Sequence, residues 1–175
     1  SCDALETVLL PQGLKGIGQY AFRNCVKLSE ISLPEGLVTL NAQAFSGCGQ
    51  YFEKTGLKTG LKSITVPSTV TTIGKSVFEN CAALEEATVK STSVGENMFL
   101  GCVSLKKVTI GAETESIKAL AFSGCKSLAE VNMQSNVLAE IGKGAFQNTA
   151  ITQFTVPDTV DTLGAGSASS TGAKD

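Results

Sequence analysis

The sequence predicts a solenoid of about seven stacked coils, with a parallel β-sheet on one face and short helical turns and short extended segments elsewhere. Three observations carry this expectation. All six cysteines, all four prolines and six of the eight phenylalanines fall at one phase of a repeated pattern. Successive cysteines lie 23, 23, 33, 21 and 23 residues apart, with 24 more to Thr149, where the next cysteine is due; repeats of this period build stacks. A single copy also buries too little apolar surface to offset the entropy of ordering its backbone, so neighbouring copies must complete one another.

Each copy runs in the same order. After the cysteine come Leu, two residues, Ile or Val, one residue, then Leu or Val, as in Cys25, Leu28, Ile31 and Leu33. The alternation of Ile31 and Leu33 with Glu30 and Ser32 is that of a half-buried strand. Proline follows (Pro11, Pro34, Pro67, Pro157), where a residue without an amide proton ends the ladder and turns the chain. A second apolar pair comes next, such as Val70 and Ile73, and predicts a short extended piece. Gly18, Asn41, Gly74, Gly95, Gly142 and Gly164 stand behind it, which suggests a backbone position of positive φ. Lys118 breaks this rule, so the fifth copy is either strained there or turns differently. Ala-Phe-x-x before the next cysteine predicts a single helical turn. The fourth copy is two residues short and has Lys90 for Pro; the sixth places Val131, Met133, Val137 and Ile141 in the pattern.

The expected domain spans residues 1–164, with a ten-residue insertion at 50–59 and a Gly/Ser/Ala-rich tail or linker at 165–175. The chain lacks an initiator methionine and reads as a fragment of a longer or processed protein. Uncovered coils at Cys2 and Leu163 leave edges open to edge-to-edge self-association.

Fourteen Lys and Arg against sixteen acids give a net charge of −2, and the scattered cations argue against nucleic acid, which calls for a basic stripe. No apolar run reaches the ~18 residues of a membrane span. Six cysteines invite a disulfide framework, but equivalent side chains in a stack point in parallel, a poor geometry for bridging. Histidine is absent and there is no Cys-x-x-Cys pair, so neither a metal nor a cofactor is expected. The thiols read as small buried fillers, as Thr149 in the last slot suggests. Gly74-Lys75-Ser76 imitates a phosphate loop, but Thr69 stands where its first glycine belongs. Without histidine no ordinary Ser or Cys triad is available either, and the chain is expected not to be an enzyme.

Leu-x-x-Ile-x-Leu-Pro, Leu-x-x-Ile-Gly and Ala-Phe-x-x-Cys, repeated from residue 2 to 164, closely resemble the BspA-type leucine-rich repeat. The resemblance implies a leucine-rich-repeat solenoid. It also implies a cell-surface or secreted repeat domain that mediates adhesion to host or neighbouring-cell proteins, with extracellular-matrix proteins such as fibronectin and fibrinogen as partners. A structural spacer within a larger surface protein is the main alternative, and a cytosolic interaction adaptor the third.

Two places could meet a protein ligand. Outward positions on the predicted sheet form two columns, one holding Glu30, Glu86, Lys107 and Glu130, the other running from Leu9 through Thr65, Thr88 and Thr109. The threonines also suit exposed strand positions on structural grounds alone. The insertion carries Tyr51, Phe52 and Lys54 and ends in a doubled Thr-Gly-Leu-Lys at 55–62. Its aromatics either anchor a ligand or pack on their own coil beside a tolerated duplication.

Overall fold

The computed structural model describes residues 2–52 and 54–167, apart from the side chains of Tyr51 and Phe52. Ser1, Glu53 and residues 168–175 of the expected tail lie outside that set. Fifteen short strands follow in order: β1 (Thr7–Val8), β2 (Gly16–Ile17), β3 (Glu30–Ile31), β4 (Thr39–Leu40), β5 (Gly49–Phe52), β6 (Leu57–Gly60), β7 (Ser63–Val66), β8 (Thr72–Ile73), β9 (Glu86–Val89), β10 (Ser93–Val94), β11 (Lys107–Ile110), β12 (Ser116–Ile117), β13 (Glu130–Met133), β14 (Glu140–Ile141) and β15 (Thr162–Leu163). They form a parallel solenoid with two ladders. The main ladder is β1-β3 followed by β7-β9-β11-β13, and the second is β2-β4-β8 followed by β10-β12-β14-β15. Equivalent positions of successive copies pair in register, as in Ile64↔Ala87, Ala87↔Val108 and Val108↔Val131. In β7, Ile64 and Val66 are buried while Ser63 and Thr65 are exposed, the alternation read from the sequence.

The interior is shared between coils. Phe22, Phe45, Phe78, Phe99, Phe122 and Phe146 stack in one column with ring centroids 5.1–5.5 Å apart and planes within 12°. Phe154, in the strand slot of the seventh copy, packs against Phe146 at 5.1 Å and 46°. Because each ring from Phe45 to Phe146 lies between two others, removing one leaves a void that the neighbouring coils fill only in part.

The expected helical turns do not form: no helix occurs among the described residues. Alternate amides of the Ala-Phe segment bond to the next coil, Tyr20 to the carbonyl of Ala42, Phe22 to that of Ala44 and Asn24 to that of Ser46. The amides between them close i→i−3 turns, Ala21 to Gly18, Arg23 to Tyr20 and Cys25 to Phe22. A helix needs every amide for itself. The backbone also has positive φ twice per coil, at Tyr20 and Asn24, Ser76 and Asn80, Leu120 and Gly124, which ends any right-handed helical run.

Those positions also correct the reading of the glycines that share this phase of the repeat. Gly18, Asn41, Gly74, Gly95, Gly142 and Gly164 are not among the residues of positive φ, and neither is Lys118. The fifth coil therefore turns like the others. What requires glycine is the neighbouring layer: a Cβ at Gly142 would lie 2.5 Å from the backbone nitrogen of Ala119 and 2.7 Å from the carbonyl carbon of Lys118.

In the sixth coil the buried residue is Leu138, whereas Val137 is 45% exposed. Coils four to six also bury hydroxyls near the slot where Leu37 and Val70 lie in earlier coils. Thr114 Oγ1 donates to the carbonyl of Ser91 at 2.9 Å and Ser135 Oγ to that of Thr114 at 2.6 Å. Ser91 Oγ donates within its own coil to the carbonyl of Ser93 at 2.9 Å, so the burial of these hydroxyls leaves no donor unmatched.

Both ladders are interrupted. The second breaks between β8 and β10, where the fourth copy is short, and the main one breaks between β3 and β7, on either side of the insertion. The seventh copy's 151–156 segment contributes no strand to the main ladder.

Candidate protein-interaction surface

The insertion is a β-hairpin. β5 and β6 pair antiparallel with Gly49↔Gly60, Gln50↔Thr59, Tyr51↔Lys58 and Phe52↔Leu57, and Gly56, with φ 69°, closes its turn. A Thr-Gly step ahead of the second strand was the sequence signal for this turn. The root is held by two glycines. Gly49 has φ 142° and Gly60 φ 105°, and a Cβ on Gly49 would meet the Thr59 carbonyl at 2.6 Å and the Ala82 amide nitrogen at 3.2 Å. One side of the hairpin thus rests on coil four. Lys58 reaches further, its Nζ donating to Ser104 Oγ of coil five at 2.5 Å.

The sequence-predicted site residues fall into three groups. Glu86, Lys107 and Glu130 are consecutive rungs. Lys107 Nζ lies 2.6 Å from Glu130 Oε1, and the hydrogen bond and charge of Glu130 raise the lysine's pKa. Glu30 pairs with Thr7 in the other part of the ladder, and the break separates it from the other three. Lys54 is exposed in the hairpin turn, and Tyr51 and Phe52 lie on β5. The side chains of these two aromatics fall outside the described residues.

A charged ridge that the sequence reading missed runs beside these columns. Glu85 Oε2 lies 2.6 Å from Lys106 Nζ, and its Oε1 lies 3.8 Å from Lys62 Nζ. The hydrogen bond and charge of Lys106, with smaller contributions from Lys62 and Lys58, hold the Glu85 carboxyl below its ordinary value. Also missed was the placement of the chain's single arginine, Arg23, whose guanidinium sits 5.2 Å from the centroid of the Tyr20 ring.

The cysteines take no part in such a surface. All six are free, and all but Cys2 are buried. They do more than fill space, because Cys48, Cys81, Cys102 and Cys125 donate to the carbonyls of Phe22, Phe45, Phe78 and Phe99, at 2.9, 3.3, 3.1 and 3.1 Å. Burial pushes Cys25, Cys48 and Cys81 upward in pKa and Cys125 up to about 12, so the reactive thiolate is disfavoured. Thr149 repeats the arrangement within its own coil, donating to Phe146 at 3.0 Å. Among the described residues, no group of three or more His, Cys, Asp or Glu is placed to hold a metal, and no helix is long and apolar enough to cross a membrane.

Solved structures share this architecture. A leucine-rich repeat protein from Bacteroides ovatus is 29% identical over 93% of this chain and 40% of its own, with a TM-score of 0.77. One from Eubacterium ventriosum is 25% identical over 92% of this chain and 41% of its own, with a TM-score of 0.76. The leucine rich repeat protein of T. pallidum is 29% identical over 91% of this chain and 68% of its own, with a TM-score of 0.69. The chain thus spans about two-fifths of the length of the first two. No functionally curated protein matches it. The BspA type leucine rich repeat region, in six copies, matches residues 1–58 and 51–171. With that match and the shared fold, this chain is a repeat domain and belongs to the BspA-type leucine-rich repeat family.

Proposed function

We propose that the chain is a protein-interaction domain displayed on the cell surface or secreted, where it mediates adhesion to host or neighbouring-cell proteins. The observation that carries this reading is the hairpin at 49–60. The repeat positions are committed to the core, whereas β5 and β6 leave the coil and the hairpin exposes Lys54 and Leu57 on a pinned support. Leu57 is 58% exposed. Matrix proteins such as fibronectin and fibrinogen are the first partners to test. The columns of Glu86, Lys107, Glu130 and the threonines are a weaker candidate, because Lys107 is already paired with Glu130 and neither column carries the Tyr, Trp or Arg side chains typical of hot spots.

Immobilised chain should bind one of these matrix proteins over an albumin control. Deleting 50–59, which joins Gly49 to Gly60, should abolish binding while leaving the circular dichroism spectrum unchanged. Retained binding after deletion would remove the hairpin. Absence of binding to any matrix protein would favour the spacer reading, which the internally paired charges of the sheet face support.

A further inference from the structure

The interruption between β3 and β7 has its own geometry. At the other junctions within the main ladder, amides cross to the preceding coil just before the strand: Ser29 and Glu30 to Glu6, Glu85 and Glu86 to Lys62, Lys106 and Lys107 to Glu85, Ala129 and Glu130 to Lys106. No such bond joins Lys62 or Ser63 to the second coil. The layers are held together elsewhere, by the pairing of β4 with β8 and by the stacked rings of Phe45 and Phe78, 5.2 Å apart. The seam is therefore open on the sheet face and closed behind it.

Three hollows adjoin one another along this seam. The first, of about 350 Å³, lies at the hairpin root and is lined by Lys27, Lys58, Lys62, Glu6 and Ser29. The second, of about 400 Å³, shares Ser29 and continues past Glu30, Ser32 and Ser63. The third, of about 280 Å³, shares Ser32 and Ser63 and ends at Glu35 and Thr65. Thr59 Oγ1, buried without a hydrogen-bond partner, belongs to a residue that lines the root. The trough is thus polarised, with Lys27, Lys58 and Lys62 beside Glu6 at the hairpin end, Lys62 being shared with Glu85 at 3.8 Å, and with Glu30 and Glu35 further along. Neither of these two forms an ion pair among the described residues.

We propose that this seam binds an extended polypeptide segment of a partner protein, acidic where it meets Lys27 and Lys62 and basic where it meets Glu30 and Glu35. An extended chain fits because the facing segments have no main-chain hydrogen bonds to each other, and strand addition uses such groups. The polarity of the trough then sets the charge order of the occupant. The proposal rests on the protein-interaction reading above and names the chemistry of the partner.

The test uses a fluorescent nine-residue probe peptide with two aspartates at one end, an alternating Val-Thr centre and two lysines at the other. A second peptide of the same composition has its charges interleaved. The segregated peptide should bind more tightly and shift the amide resonances of Ser32, Ser63 and Thr65. Lys27→Glu with Lys62→Glu, at exposed positions, should weaken it about tenfold or more, the loss expected for two missing ion contacts. Glu30→Lys with Glu35→Lys should do the same. Equal binding of both peptides, shifts confined to other coils, or variants without effect would overturn the proposal. So would capture of heparin at Lys27 and Lys62 with no peptide binding, which would assign the patch to a sulfated glycan. Peptide binding in the seam without any matrix-protein binding would remove adhesion and leave the seam. Matrix binding that ignores both peptide and seam variants would do the reverse.

Discussion

Cys48 Sγ donates a 2.9 Å hydrogen bond to the main-chain carbonyl of Phe22, one coil earlier. The same carbonyl accepts the amide of Cys25 at 3.2 Å, so it joins a turn within one layer to a thiol of the next. Buried in this way, the thiols should resist modification. A thiol reagent should label Cys2 alone in the native protein and all six cysteines in urea; native labelling of Cys81 or Cys125 would contradict the packing.

Burial also makes stability depend on alkaline pH. Cys125 is held up to about 12 from an ordinary 9.0, so between those values the folded thiol keeps a proton that the unfolded one releases. Stability should therefore be level below about pH 9 and fall as pH rises toward 12. Urea melts of wild type and Cys125→Val, compared across that window, should show a shallower fall in the variant.

Two glycines at the same phase should respond oppositely to alanine. Gly142→Ala drives a Cβ into the backbone of Lys118 and Ala119 and should cost about 1–3 kcal/mol. Gly18→Ala meets no atom within 4 Å and has no positive φ to oppose it. It should be neutral or stabilise by up to about 1 kcal/mol. Thermal melts of the pair decide whether layer contact or backbone conformation selects glycine there.

Glu85 should titrate below its unfolded value, because Lys106 holds the charged form. Its stabilising effect is present above the unfolded pKa and is lost as pH falls through the folded one. Carboxyl carbon NMR should show the Glu85 midpoint return toward the ordinary range in Lys106→Met and in 1 M salt, where charges this exposed are screened.

The repeat, the register of the main ladder and most of the core were legible because each rests on side chains at fixed spacing. Leu28, Ile31 and Phe45 declare burial by their chemistry and position. What the sequence hid depends on contacts between layers. Ala-Phe-x-x reads as helix from local spacing, yet the amide of Phe22 is taken by Ala44 of the next coil. Gly142 reads as a φ residue but answers to Ala119, and Val137 and Leu138 compete for one slot that only the packing resolves. A usable signal was overlooked: Asn24, Gly47, Asn80, Gly101, Gly124 and Asn148 each directly precede the cysteine slot, and all have positive φ. The open seam was not legible at all, since it is set by how the hairpin interrupts the pairing of β3 with β7.

Phe99 lies between the rings of Phe78 and Phe122, 5.5 and 5.4 Å away. Phe99→Ala should cost about 3–5 kcal/mol, the range for a buried ring that leaves a cavity. Phe22→Ala should cost less, because Phe22 is only half-buried. Chemical denaturation of the two variants provides the comparison.

The most direct measurement is the set of ring-to-ring nuclear Overhauser contacts in a sample with labelled phenylalanines. Layered coils require contacts linking Phe22 to Phe45, Phe45 to Phe78, Phe78 to Phe99, Phe99 to Phe122 and Phe122 to Phe146, with Phe154 meeting Phe146 alone and no ring touching one two layers away. Contacts that skip a coil, or no contact between Phe45 and Phe78 across the insertion, would contradict it.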